Sequence, residues 1–156
     1  MSAGTAVSVV MAVAAIALTA AGAGAAPVRE DLRYRELRRI VNRNAGHAHL
    51  TPGATMHTAI ALRECVSGAD IPVLGRMLFD RDHVVQLTVA RVLTDLGRPG
   101  LDALRRARAR ADQEPRARGV IDDALWYRGQ PEHRPLRDHP LSPAERQRIR
   151  GCAPRP

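Results

Sequence analysis

The sequence predicts an all-α chain, a short α-solenoid of two to three stacked helical hairpins, and three observations predict it. Apolar residues recur at three-and-four spacing in segment after segment between Tyr34 and Leu125, the mark of helices that bury one stripe. Between the segments stand Asp, Gly and Pro, which start and stop helices. The pattern also repeats. Ile71, Leu74 and Met77 return as Leu101, Leu104 and Ala107 at an offset of 30. Val85, Val89, Val92 and Leu93 return as Ala117, Ile121, Ala124 and Leu125 at an offset of 32. A period near 30 residues, made of helix, short acidic loop and helix, is how stacked repeat proteins are written.

Taken in order, residues 1–25 carry no charged side chain and include the apolar run VSVVMAVAAIALTAA. They close on Ala23-Gly24-Ala25, the small-x-small pattern a signal peptidase reads. The region before the apolar run lacks Lys and Arg, and Ala6–Ala21 is slightly short for a bilayer. The expectation is therefore export with cleavage after Ala25, with an uncleaved N-terminal anchor as the alternative.

Residues 26–50 hold a first helix and a linker. In EDLRYRELRRIVNRN, Tyr34, Leu37, Ile40, Val41 and Asn44 share one face and the arginines take the other. AGHAHLTPG ends it. Residues 51–128 form the repeat region. Thr51-Pro52 opens a helix whose face is Ala59, Leu62 and Val66, with Met56 and Ile60 beside them, and Ser67-Gly68 stops it. Asp70 is placed to cap DIPVLGRMLF, with Ile71, Leu74, Met77 and Leu78 inward. Asp82 is placed to cap the next helix, HVVQLTVARVLTDL, which stops at Gly97. That helix is apolar on two sides: Val85, Val89, Val92, Leu93 and Leu96 on one, Val84, Leu87 and Ala90 around the back. A helix in the middle of a stack needs this, because its partner and both neighbours cover it; the central helix of an ordinary four- or five-helix bundle would look similar. Pro99 then starts a helix with Leu101, Leu104, Ala107 and Ala111 inward, and Pro115 starts one with Ala117, Val120, Ile121, Ala124 and Leu125 inward. Residues 129–156 are a Pro/Arg-rich tail. Ser142-Pro143-Ala144-Glu145 is a capping box that predicts a short helix to about Arg150, docked through Leu141 and Ile149.

The stretch DIPVLGRMLFDRDHVVQLTVARVLTDLGRPGLDALRRA resembles the short HEAT repeats of bacterial proteins. In that family a first helix ends near Asp, and the second carries Val, then Ala-x-x-Leu, then Leu-Gly. Here those positions are Asp80, Asp82, Val85, Ala90, Leu93, Leu96 and Gly97. The next copy keeps Pro115, Ala124 and Leu125, puts Glu114 for the loop Asp, and places Gly119 inside the helix. The resemblance spans residues 54–127. It implies HEAT-like hairpins, a structural role in capping for Asp80 and Asp82, and a rigid surface that binds partners without catalysis.

The net charge is +8, and all 24 basic residues are Arg. Arginine suits phosphate and carboxylate alike, while an Ala/Arg-biased genome that encodes Arg where others use Lys accounts for the count without any binding role. Export removes nucleic acid from reach, so the charge points instead to acidic proteins, anionic lipid or cell-wall polymer. The candidate contact is Arg105, Arg106 and Arg110, which lie opposite Leu101, Leu104 and Ala107, with Arg108 at the edge; a solubilising surface is the alternative. Trp126 points away from the buried stripe and either caps the end of the stack under the tail or stands exposed as a contact. Cys65 and Cys152 fit an exported chain with one disulfide. It would close a loop of roughly 90 residues and stabilise by at most about 4–5 kcal/mol in the chain-entropy model; two unpaired thiols, Cys65 being a core residue, are the alternative.

Catalytic signals are thin. His47, His49 and His57 have no Cys or carboxylate at ligand spacing, and no metal or cofactor is expected. Asp122 and Asp123 diverge around a helix and suit a solvated face. Ser67, Ser142 and Cys65 lack His and acid partners, and there is no Gly-rich phosphate loop. No small-molecule substrate follows. The function expected is a non-catalytic protein–protein interaction module that is periplasmic or extracellular. The alternative is an electrostatic binder of anionic membrane or cell-wall polymer. Some HEAT-like proteins are lyases or excise DNA bases, but nothing here matches such a set.

Overall fold

The computed structural model describes residues 31–45, 52–139 and 143. Among them are six α-helices and no strand: α1 Leu32–Ala45, α2 Pro52–Cys65, α3 Ile71–Met77, α4 His83–Asp95, α5 Arg98–Arg108 and α6 Pro115–Arg128. Three short 3-10 turns, Gly68–Asp70, Ala111–Gln113 and Leu136–Asp138, join or follow them. None of the described helices is long and apolar enough to cross a membrane. Residues 1–30, His47, His49, Ser142, Cys152 and most of the short tail helix expected after Ser142 lie outside the described residues.

The packing order follows the chain. Helices adjacent in sequence lie against each other, α1 on α2, α3 on α4 and α5 on α6. The odd helices touch in order, α1 to α3 to α5, and so do the even ones, α2 to α4 to α6. One continuous apolar core runs between them from Tyr34 to Leu136. The first helix is part of that core: Tyr34, Leu37, Ile40 and Val41 are buried as their spacing predicts.

Helix α4 explains its own sequence. It touches α1, α2, α3, α5 and α6, so Val84, Val85, Val89, Ala90, Val92 and Leu93 are all buried on different sides. Leu87 and Arg91, one turn apart, remain half-exposed. Asp82 caps the helix as expected, its carboxylate accepting from the Val84 amide at 2.9 Å. At the other end Gly97 takes φ 69° and ψ −149°, an extended positive-φ conformation that only a residue without a Cβ adopts readily.

Two expectations need correction. Asp70 does not cap α3; its carboxylate turns back to the Ser67 amide at 2.8 Å, closing a capping box around the 3-10 turn that precedes the helix. The buried face of α5 is also rotated. Ala103, with Gly100, Leu104 and Ala107, faces inward, while Leu101 is only half-buried. The cause is close helix approach: a Cβ on Gly100 would lie 2.0 Å from the Leu93 carbonyl oxygen. The small residues Gly100, Ala103 and Ala107 bring α5 down onto α4, and Leu101 falls to the flank.

Buried aspartates tie the layers together. Asp80, between α3 and α4, accepts from the Tyr34 hydroxyl at 2.6 Å, Arg38 Nε at 2.9 Å and the Asp82 amide at 2.8 Å. Asp70 accepts from Arg33 Nε at 2.8 Å, and that bond, above all other influences, raises the Arg33 pKa. Asp95, the last residue of α4, accepts from Arg63 Nε at 2.7 Å and from the Leu136 amide at 2.7 Å. Such charge-assisted bonds are short and directional, and they fix the setting of one helix on the next. Asp95 also holds the tail: Leu136 is 2% exposed, although the tail's composition predicts almost no core-forming residue there.

Candidate functional site

Arg105 and Arg106 on α5 and Arg110 just after it are exposed, as their spacing predicts, but they do not form one free patch. Arg105 bonds Asp102 at 3.0 Å, one turn back on its own helix. The Arg110 guanidinium lies 5.7 Å from the ring centroid of Phe79, at the end of α3, a weak cation–π contact. Arg106 lines, with Arg98 and Asp102, a shallow hollow of about 530 Å³ between the starts of α3 and α5. Arg108 is tied to α6 through Asp122. Arg106 and Arg98 form no ion pair among the described residues, so positive charge is available at this hollow.

Trp126 is 67% exposed on α6. Nothing among the described residues caps it, and it lies one turn from Asp122 rather than with Arg105, Arg106 and Arg110. Cys65 is buried at the end of α2, with its Sγ 3.2 Å from the Ala61 carbonyl oxygen; its expected partner Cys152 is outside the described residues. His57 is half-buried on α2. Among the described residues no three metal-ligating side chains converge. Asp122 accepts from Arg108, and Asp123 is exposed beside it.

A second site was not foreseen. The even-numbered helices leave a groove of about 280 Å³ along their shared face. Its walls are apolar: Met56 from α2, Leu87 and Ala90 from α4, Val120, Ala124 and the Tyr127 ring from α6. Thr55, Thr94, Arg91 and Asp123 supply its polar atoms. This is the strip of α4 that no neighbouring helix covers. Leu87, at the back of α4, faces an open channel rather than another helix.

One end of the groove is unusual. The Arg91 guanidinium carbon sits 4.0 Å above the Tyr127 ring centroid, and its terminal nitrogen donates to the Tyr127 hydroxyl at 3.1 Å. His133 meets the same ring edge-on at 5.4 Å. Burial, helped by the positive charges of Arg128 and Arg91, holds the His133 pKa below the ordinary histidine value. The sequence did contain a signal for this site: Arg91 is the one arginine in α4, a helix whose apolar residues lie on more than one side. Such a residue has to emerge somewhere, and where it emerges is the groove.

Compared with known proteins, the chain matches no family model, no curated protein and no solved structure.

Proposed function

We propose that this chain is an exported, short α-solenoid of HEAT-like hairpins that binds an acidic protein partner and carries out no catalysis itself. One observation supports this reading above the rest. Hairpins α1/α2, α3/α4 and α5/α6 follow one another with odd helices touching odd and even touching even, the order that stacked repeats produce and a closed bundle does not require. Stacking of this type builds two extended surfaces, one per layer. The odd layer carries Arg98, Arg105, Arg106 and Arg110, and with a net charge of +8 it attracts acidic partners over distances of about a Debye length, roughly 8 Å at physiological salt.

The test is affinity capture with the full chain from the secreted or periplasmic fraction of its native host. Light scattering of the reconstituted complex follows. A defined stoichiometry that Arg105→Glu/Arg106→Glu abolishes supports the reading. Retention only on anionic vesicles or cell-wall polymer, lost as salt rises, replaces it with the electrostatic alternative. A complex indifferent to both substitutions removes the α5 face from the argument. Intact mass and a thiol count on the same sample examine export: a mass lacking residues 1–25 and no titratable thiol fit cleavage after Ala25 and a Cys65–Cys152 bond.

A further inference from the structure

We infer that the groove along α2, α4 and α6 is a peptide-binding site. It takes an apolar side chain together with a carboxylate, and Arg91 binds that carboxylate. The inference rests on the reading of the chain as a protein-binding module, and it names a different surface from the α5 arginines.

This protein pairs half-buried arginines with carboxylates, with one exception. Among the described residues the half-buried arginines are Arg33, Arg38, Arg63, Arg76, Arg91 and Arg108. Arg33 holds Asp70, Arg38 holds Asp80, Arg63 holds Asp95, Arg76 holds Asp31 and Arg108 holds Asp122. Arg91 alone in this set has no carboxylate within ion-pair distance among the described residues; its partners are the ring and hydroxyl of Tyr127. Removing a guanidinium partly from water without an opposing charge is unfavourable, and the Tyr127 face offsets it only by about 1–2 kcal/mol. What the stacking does achieve is orientation. A guanidinium held over a ring, with one terminal nitrogen given to the Tyr127 hydroxyl, keeps its Nε–H and other terminal N–H groups to receive a carboxylate in a two-pronged manner.

The surroundings define the rest of the ligand. Leu87, Ala90, Met56, Val120 and Ala124 offer an apolar channel beside the cation. At about 280 Å³ the groove is at the small end of the range for ligand sites, enough for one or two side chains and not for a helix. Asp123, exposed on α6 one turn before Tyr127, has no cation partner among the described residues and disfavours a second negative charge. The occupant that fits is thus a short segment with one carboxylate, either a chain end or a side chain, next to a leucine-sized group.

NMR of the ¹⁵N-labelled full chain tests this. Three acetylated leucine-containing tripeptides serve as probes: one with a free C-terminal carboxylate, one amidated with an internal glutamate, and one amidated and uncharged. The expected result is that at least one charged peptide moves the Arg91 Nε–Hε signal and binds at least tenfold more tightly than the uncharged one. Which charged peptide does so tells chain end from side chain. Arg91→Met, which keeps the aliphatic stem, should remove that preference while the thermal unfolding curve stays intact. If Arg91→Met does not fold, Arg91→Lys takes its place and should lose several-fold, because an ammonium cannot match a carboxylate in two places. Equal binding of all three peptides overturns the inference. So does a response confined to Arg105 and Arg106, which leaves the proposed function standing. Decanoate binding without any peptide binding overturns it in favour of a small amphiphile.

Discussion

Replacing Asp95 by alanine is the sharpest test of how the tail is held. Asp95 ends α4 with its side chain 7% exposed, and each carboxylate oxygen serves a different element: Oδ2 takes Arg63 of α2, Oδ1 takes the Leu136 amide. If the 3-10 turn stays in place after Asp95→Ala, the Leu136 N–H is left buried without a partner, at about 1–3 kcal/mol. If the turn lifts away to find water, Leu136 leaves the core, at about 2 kcal/mol for a leucine side chain. The two routes compete, so the smaller one bounds this part at about 2 kcal/mol. Arg63 is 36% exposed and can turn to solvent, so losing its ion pair adds no more than about 1 kcal/mol. The sum, about 2–3 kcal/mol, lowers the Tm by roughly 10–20 °C for a domain of this size. Asp95→Asn keeps one acceptor for the Leu136 amide and should fall by less than half as much. Thermal denaturation followed by circular dichroism gives the totals, and hydrogen exchange at the Leu136 amide tells which route was taken. A Tm within about 2 °C of the parent for Asp95→Ala refutes the clamp.

Two glycines should respond in opposite directions. Gly100→Ala places a methyl against the Leu93 carbonyl and should destabilise by about 2–3 kcal/mol as α5 is pushed off α4. Gly119→Ala meets nothing within 4 Å and should stabilise by about 0.5–1 kcal/mol through helix propensity; chemical denaturation reads both, and a loss at Gly119 contradicts the packing described. His133 should titrate below the ordinary 6.5. Because the unfolded chain then binds the proton first, stability should fall as the pH drops below about 6.5 towards the folded pKa. Following the imidazole signal by NMR, with His133→Gln as control, checks the sign.

Most of the helical framework was legible because burial on one face leaves a periodic trace. Tyr34 to Val41, Val85 to Leu93 and Ala117 to Ile121 are buried where spacing places them. The rotation of α5 was not legible, since Leu101 outranks Ala103 in hydrophobicity and only the approach of Leu93 to Gly100 reverses their order. The part played by Asp70 was hidden because an acid before a helix can cap forward or bind backward, and Arg33, far away in sequence, decides the matter. Leu136 was overlooked in a polar tail because its anchor is a backbone N–H on Asp95, which composition does not record. The α5 arginines are exposed as spacing implied, but their separation by Asp102 and Phe79 depends on three-dimensional neighbours. The groove escaped notice because Arg91 and Tyr127 lie 36 residues apart and each is unremarkable alone.

The aspartate ties also set a timetable for the growing chain. Arg33, Tyr34 and Arg38 leave the ribosome ahead of the acceptors they need, which lie 37 to 46 residues downstream. At translation speeds of 5–20 residues per second, that is a wait of roughly two to nine seconds. Through that interval α1 has only α2 to lean on, and the part of its greasy side that faces the later helices stays open. A nascent chain of this design gains from being kept apart until the second hairpin arrives to claim it.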